Sequence, residues 1–90
     1  MSTVVWLDEA VEDLKKVGVH IAEDDTEAAY RVLIKIKATA DSLLLYPEIG
    51  RVGRVEGPRE VVVNDIPYVL PYQITNKNIR ILAVMHTSRK

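Results

Sequence analysis

Along the 90-residue chain, the spacing between apolar positions changes twice. Residues 3–7, T-V-V-W-L, form a β-branched and aromatic run that reads as a strand too short to stand alone. From Asp8 the period lengthens. Ala10, Leu14, Val17 and Ile21 recur at helical spacing, with Glu12, Asp13, Lys15 and Lys16 on the far side, which predicts an amphipathic helix. Asp8 is placed to cap its free N–H groups, and its charge suits the positive end of the helix dipole. Gly18 costs this helix about 1 kcal/mol against alanine unless a close helix contact uses the missing side chain. The acidic run E-D-D-T-E at 23–27 predicts a tight connection in which Asp25 caps a second helix. That helix is expected to run from Thr26 to about Leu45 and, at 1.5 Å per residue, to be roughly 30 Å long. It ends before Pro47 because the residue preceding a proline is pushed out of helical geometry. Ala29, Val32, Leu33, Ile36, Ala40, Leu43 and Leu44 make its core stripe, and Tyr30, Ile34 and Ala38 make a second stripe beside it. Two stripes exceed what one small sheet covers, so either the first helix or a partner chain takes the extra one. Two helices joined by a short turn form an αα-hairpin.

After residue 59 the period falls to two. The runs R-E-V-V-V (59–63), Y-V-L-P-Y-Q-I (68–74) and I-R-I-L-A-V-M-H (79–86), parted by N-D-I-P and T-N-K-N turns, predict an antiparallel meander. In the last run Arg80, Leu82, Val84 and His86 share one face, and Ile79, Ile81, Ala83 and Met85 share the other. Both faces are apolar in the middle, as in a central strand. Pro71 cannot donate to a ladder and marks an edge-facing position, a bulge or a kink. Between hairpin and meander, in the stretch from Pro47 to Val63, Gly50, Gly53 and Gly57 loosen the chain among Arg51, Arg54 and Arg59. The whole pattern predicts one α+β domain over residues 1–90, with a short N-terminal strand and an αα-hairpin packed on a small antiparallel sheet.

Composition narrows the chemistry. Without cysteine there is neither disulfide nor thiolate, and His20 and His86 stand too far apart in sequence for a common zinc spacing. No metal and no cofactor is expected, and a reducing cytoplasmic location is. The N-terminus lacks a basic signal region, and no apolar run approaches the roughly 20 residues of a membrane span. The net charge of -1 conceals an asymmetry: residues 1–48 carry ten Asp or Glu against five Lys or Arg, and residues 49–90 carry three against seven. Such polarity offers a basic face to nucleic acid or to an acidic protein.

The order strand, helical hairpin, meander, together with the segments W-L-D-E-A-V-E-D-L (6–14), T-E-A-A (26–29), P-E-I-G-R (47–51), R-V-E-G-P-R-E (54–60), P-Y-V-L-P-Y (67–72) and I-R-I-L-A-V-M-H (79–86), resembles the ParE/RelE superfamily of toxins from type II toxin–antitoxin systems, most of all its ParE-type branch. Members of that branch usually open the first helix with a Ser/Thr-Pro pair where this chain has Leu7-Asp8. They also tend to continue past the position of Lys90 with a short tail ending in an aromatic residue and a proline, so the resemblance raises a shortened C-terminus. The resemblance implies a growth-inhibiting, plasmid-stabilising toxin neutralised by a cognate ParD-like antitoxin whose flexible C-terminal segment folds over it in a hetero-oligomer. DNA gyrase is the implied target. Two alternatives stay open: ribosome-dependent mRNA cleavage of the RelE type, and a degenerate or truncated toxin that only binds its antitoxin.

Metal-free RNA cleavage needs a base, an acid and cations for the charged phosphorus centre. Here that set would be His86 with Arg59 and Arg80, yet Arg80 and His86, six strand residues apart, stand about 20 Å from each other. No lysine lies between Lys37 and Lys77, and the chain is not basic overall, against the need of a polyanion-binding nuclease. The gyrase reading asks for a basic, partly apolar surface, for which Arg51, Arg54, Arg59, Arg80, His86, Arg89 and Lys90 are the candidates. Arg51 and Arg54, in a glycine-loosened loop, have less to pack against and favour function, whereas others have a plainer reading as well. Arg59 is equally an ion-pair partner for a helix carboxylate, Arg80 a solvated strand position, His86 a packed or hydrogen-bonded histidine, and His20 a surface residue. Tyr68 and Tyr72 read as core or rim aromatics rather than a stacking platform. The stripe of Tyr30, Ile34 and Ala38 is the expected antitoxin contact, since exposed apolar patches mark partner sites.

Overall fold

A computed structural model describes residues 3–52 and 57–88, so Arg54, Arg89 and Lys90 lie outside the described residues. In chain order the elements are β1 (Thr3–Trp6), α1 (Asp8–Ala22), α2 (Thr26–Ser42), β2 (Arg51–Val52), β3 (Arg59–Val62), β4 (Tyr68–Ile74), β5 (Asn78–Ile81) and β6 (Met85–His86). The sheet runs β1-β5-β4-β3-β2, with β6 paired to β4. The α+β architecture is the expected one, but the sheet is mixed. β1 joins β5 in parallel, which places the first strand at one edge and makes β5 central.

The hairpin forms as the periodicity predicts, with two corrections at its ends. The residue before α1 is Leu7, which offers no side-chain cap, and Asp8 is already helical. Entry is fixed instead by the sheet, since the Leu7 N–H donates to the Ile81 carbonyl at 3.0 Å. Asp8 and Glu9 still sit in the first turn, where they oppose the positive end of the dipole. Asp25 caps α2 as expected, accepting from the Ala28 N–H at 3.0 Å. α2 stops at Ser42 rather than Leu45, because Leu43, Leu44 and Leu45 donate three residues back instead of four. Thr39 and Ser42 donate their hydroxyls to the Lys35 and Thr39 carbonyls, a back-bonding that loosens a helix end. Gly18 is used as a close helix contact: a Cβ there would meet Leu33 Cδ1 at 3.1 Å.

One face of the sheet carries the core. Leu70, Tyr72, Ile79 and Ile81 point to the helices and are fully buried with Ala10, Ile36, Ala40 and Leu43. The last predicted strand does not run through to His86. Leu82 donates to the Pro71 carbonyl at 2.9 Å, but proline has no N–H to return. The chain leaves the ladder there and rejoins as β6 beside Tyr68 and Val69. At the break the Val84 N–H turns to the Asp13 carboxylate on α1, at 3.0 Å. The interruption shifts the alternation by one residue, so Val84 is buried and Met85 exposed, opposite to a continuous strand. Pro71 therefore sits where its neighbour strand is interrupted. Among the described residues no helix is long and apolar enough to cross a membrane.

Candidate functional site

With the helices on one side, the other side of the sheet has no helix or strand among the described residues packed over it. Strand register decides which predicted residues it holds. Arg51 is opposite Glu60 and Glu60 opposite Pro71, while Arg80 is opposite Gln73 on one side and Val5 on the other. Directly paired residues share a face, so Arg51, Glu60, Pro71, Gln73, Arg80 and Val5 all point outward. Val62 and Met85 join them as exposed apolar groups. Arg51 pairs with Glu60 at 3.4 Å, an exposed contact contributing little. Arg80 makes no ion pair or hydrogen bond among the described residues.

Arg59 and His86 lie elsewhere. Arg59 is opposite Tyr72 on the helix-facing side and half-buried. Its guanidinium donates to the Gly50 carbonyl at 2.9 Å and the Glu48 carbonyl at 3.4 Å, so its partners are backbone oxygens rather than a helix carboxylate. His86 is opposite Tyr68, its ring edge-on to the tyrosine with centroids 5.3 Å apart. Its Nδ1 accepts from the Ser88 N–H at 3.2 Å and lies 2.7 Å from the Ser88 hydroxyl oxygen. Along β4, Gln73 beside Arg80 and Tyr68 beside His86 are five residues, roughly 17 Å, apart. The three residues of the nuclease set thus do not meet.

The segment from Tyr46 to Gly50 is held by a latch that the residue pattern did not signal. The Tyr72 hydroxyl donates to the Pro47 carbonyl at 2.7 Å and accepts from the Gly50 N–H at 3.0 Å, while Arg59 holds the carbonyls beside it. Only a partner identity twenty-odd residues away in sequence would have revealed it, and alternation alone marks Tyr72 merely as inward. Burial raises the Tyr72 pKa from 10.0, against smaller lowering by the Gly50 hydrogen bond and Arg59. A raised phenol pKa in the folded chain means that the stabilisation is complete below pH 10 and is lost as pH climbs through the folded value. Tyr72→Phe is accordingly expected to cost about 1–3 kcal/mol at neutral pH, by stranding the Gly50 N–H and Pro47 carbonyl. Urea unfolding at pH 8 and above pH 10 should show that the wild-type loses more stability with alkali than the variant.

The second surface is the outward side of α2. Tyr30 is 69 % and Ile34 50 % exposed, and Ala38 is exposed with them. The stripe continues off the helix end into Leu45, Tyr46 and Ile49, which are 76 %, 60 % and 65 % exposed. Leu44, assigned above to the core stripe, is also exposed, because the early end of α2 turns it out. α1 packs against the Leu33 side of α2 and leaves this row uncovered.

Comparison with known proteins gives this arrangement a family. The model of the ParE toxin of type II toxin–antitoxin systems, parDE, matches residues 4–90. The chain belongs to the ParE toxin family. It is 41 % identical over 85 residues to the candidate toxin Y4kP of Sinorhizobium fredii, covering 94 % of this chain and 88 % of that one. It is 36 % identical over 89 residues to toxin RelE2 of Caulobacter vibrioides, covering 99 % of each. A solved chain of the chromosomal ParDE toxin–antitoxin system from P. aeruginosa has the same fold, with a TM-score of 0.87 at 23 % identity and 98 % of both chains covered. Membership of a ParE toxin family implies an antitoxin as partner.

Proposed function

We propose that this ParE-family toxin inhibits DNA gyrase, and so blocks replication, by docking the uncovered face of its sheet, while the antitoxin covers the apolar row on α2. The observation that carries this reading is the separation of the would-be nuclease residues. Arg59 is spent on backbone carbonyls and Arg80 faces away from the helices, so neither arginine of the expected set reaches His86. General acid or base action without those two arginines at the phosphorus centre contributes only part of such catalysis. The outward row of Arg51, Glu60, Gln73, Arg80 and Val5, in which Glu60 offsets Arg51 and Arg80 is the cation without an ion pair among the described residues, has with the exposed Val62 and Met85 the mixed charged and apolar character of a protein-docking face.

Ribosome-dependent mRNA cleavage is the competing reading, prompted by the name of the Caulobacter relative, RelE2. Purified toxin added to a gyrase supercoiling assay and to translating ribosomes separates the two. Inhibited supercoiling with intact mRNA is expected. Cleavage that disappears in His86→Ala, with supercoiling untouched, would reverse the assignment.

A further inference from the structure

The two histidines, distant in sequence, come to one cleft. α1 presents Asp13, Lys16, Val17 and His20 at spacings of three, one and three, a single helix face, toward Tyr68, Val84 and His86 at the end of the sheet. The cleft measures about 330 Å³. Its polar groups are mostly donors without partners. Lys16 makes no ion pair among the described residues. In the tautomer that accepts the Ser88 N–H at Nδ1, neutral His86 carries its ring proton on Nε2, a donor with no partner among the described residues. Tyr68 is only 8 % exposed, and its hydroxyl bonds to no described residue. No buried side-chain oxygen or nitrogen lacks a partner among the described residues, so that hydroxyl meets solvent, and Tyr68 lines this cleft. The only acidic group lining it, Asp13, is already engaged with the Val84 N–H.

We propose that this cleft binds a phosphate group carried by a small ligand of mononucleotide size. Lys16 supplies the charge; His20, His86 Nε2–H and the Tyr68 hydroxyl supply hydrogen bonds to the remaining oxygens. A phosphate, unlike a carboxylate ligand, also carries a hydroxyl at neutral pH in its monoanionic form, which can donate to Asp13. Val17 and Val84 form an apolar wall for the rest of the ligand. The site shares His86 with the competing nuclease reading but uses neither the outward face of the sheet nor the row on α2, so its binding test does not depend on the gyrase assignment.

The test is a titration of the isotope-labelled full chain with inorganic phosphate, with 5′-AMP and with acetate, following the His20 and His86 ring resonances. Both rings should shift together and saturably with phosphate and with 5′-AMP, and Lys16→Met should weaken binding about tenfold. Tyr68→Phe, which keeps the packing, should weaken it several-fold. Tighter binding of 5′-AMP than of phosphate identifies a nucleotide-type ligand, and equal binding a phosphate group alone; both support the site. Acetate binding as well as phosphate, no saturable shift, or a Lys16→Met protein that binds like wild-type would overturn it.

Discussion

Gly50→Ala is expected to lower unfolding stability by about 3 kcal/mol, a drop of roughly 10–20 °C in melting temperature for a chain of this size. A Cβ at this position would lie 2.6 Å from the Tyr72 hydroxyl and 2.7 Å from the Glu60 carbonyl oxygen. Neither neighbour can retreat cheaply. The hydroxyl is tied to Pro47 and Gly50 itself, and the carbonyl belongs to β3, which is paired on both sides. Relief requires the Tyr46–Gly50 segment to lift off the sheet, which would also break both Arg59 hydrogen bonds. The requirement at Gly50 is for space rather than for unusual backbone geometry. Thermal unfolding followed by circular dichroism measures the loss, and a change under 1 kcal/mol would show that the latch is loose. The same lift would displace Leu45, Tyr46 and Ile49, so antitoxin affinity should fall along with stability in this variant.

Ile34→Glu should weaken the antitoxin complex by about 2–4 kcal/mol, thirtyfold or more, while leaving the toxin folded. Ile34 is half exposed and glutamate is at least as good a helix former, so the free chain has little to lose. In a complex that covers the row, the carboxylate would be desolvated between Tyr30 and Ala38. Calorimetric titration of the folded variant with antitoxin gives the answer. Undiminished affinity would move the antitoxin interface off α2.

Much of the fold was legible in the sequence because most of its elements are amphipathic and few are long. The helical hairpin follows from Ala10, Leu14, Val17, Ala29 and Ile36 at helical spacing, and Asp25 announces its own cap. What escaped depends on groups remote in sequence. The parallel pairing of β1 with β5 joins Thr3–Trp6 to Asn78–Ile81, and no local pattern encodes such a crossover. The break at Leu82–Val84 arises from the missing N–H of Pro71 on the neighbouring strand. The sequence marks Pro71 as unable to donate, but which strand yields to it is not in the residue pattern. Site residues were legible as types and not as placements. Alternation grouped Arg80 with His86, and the break sent them to opposite faces. Arg59 looked like a contact or an ion pair, and is a clasp for a backbone turn. The exposed row on α2 was the most readable feature, because a second apolar stripe has no place in a two-layer fold of this size.

Docking of the target on the uncovered face of the sheet is the central proposal, with Arg80 in the middle of the Gln73–Arg80–Val5 row. Its most direct test is the dose dependence of gyrase supercoiling inhibition by Arg80→Glu beside wild-type toxin. Reversing the half-buried, outward-pointing Arg80 charge at a docking face that opposes an acidic partner is expected to raise the inhibitory concentration roughly tenfold to a hundredfold, with antitoxin affinity unchanged. An Arg80→Glu toxin that inhibits gyrase as strongly as wild-type would contradict the placement of the target on this face.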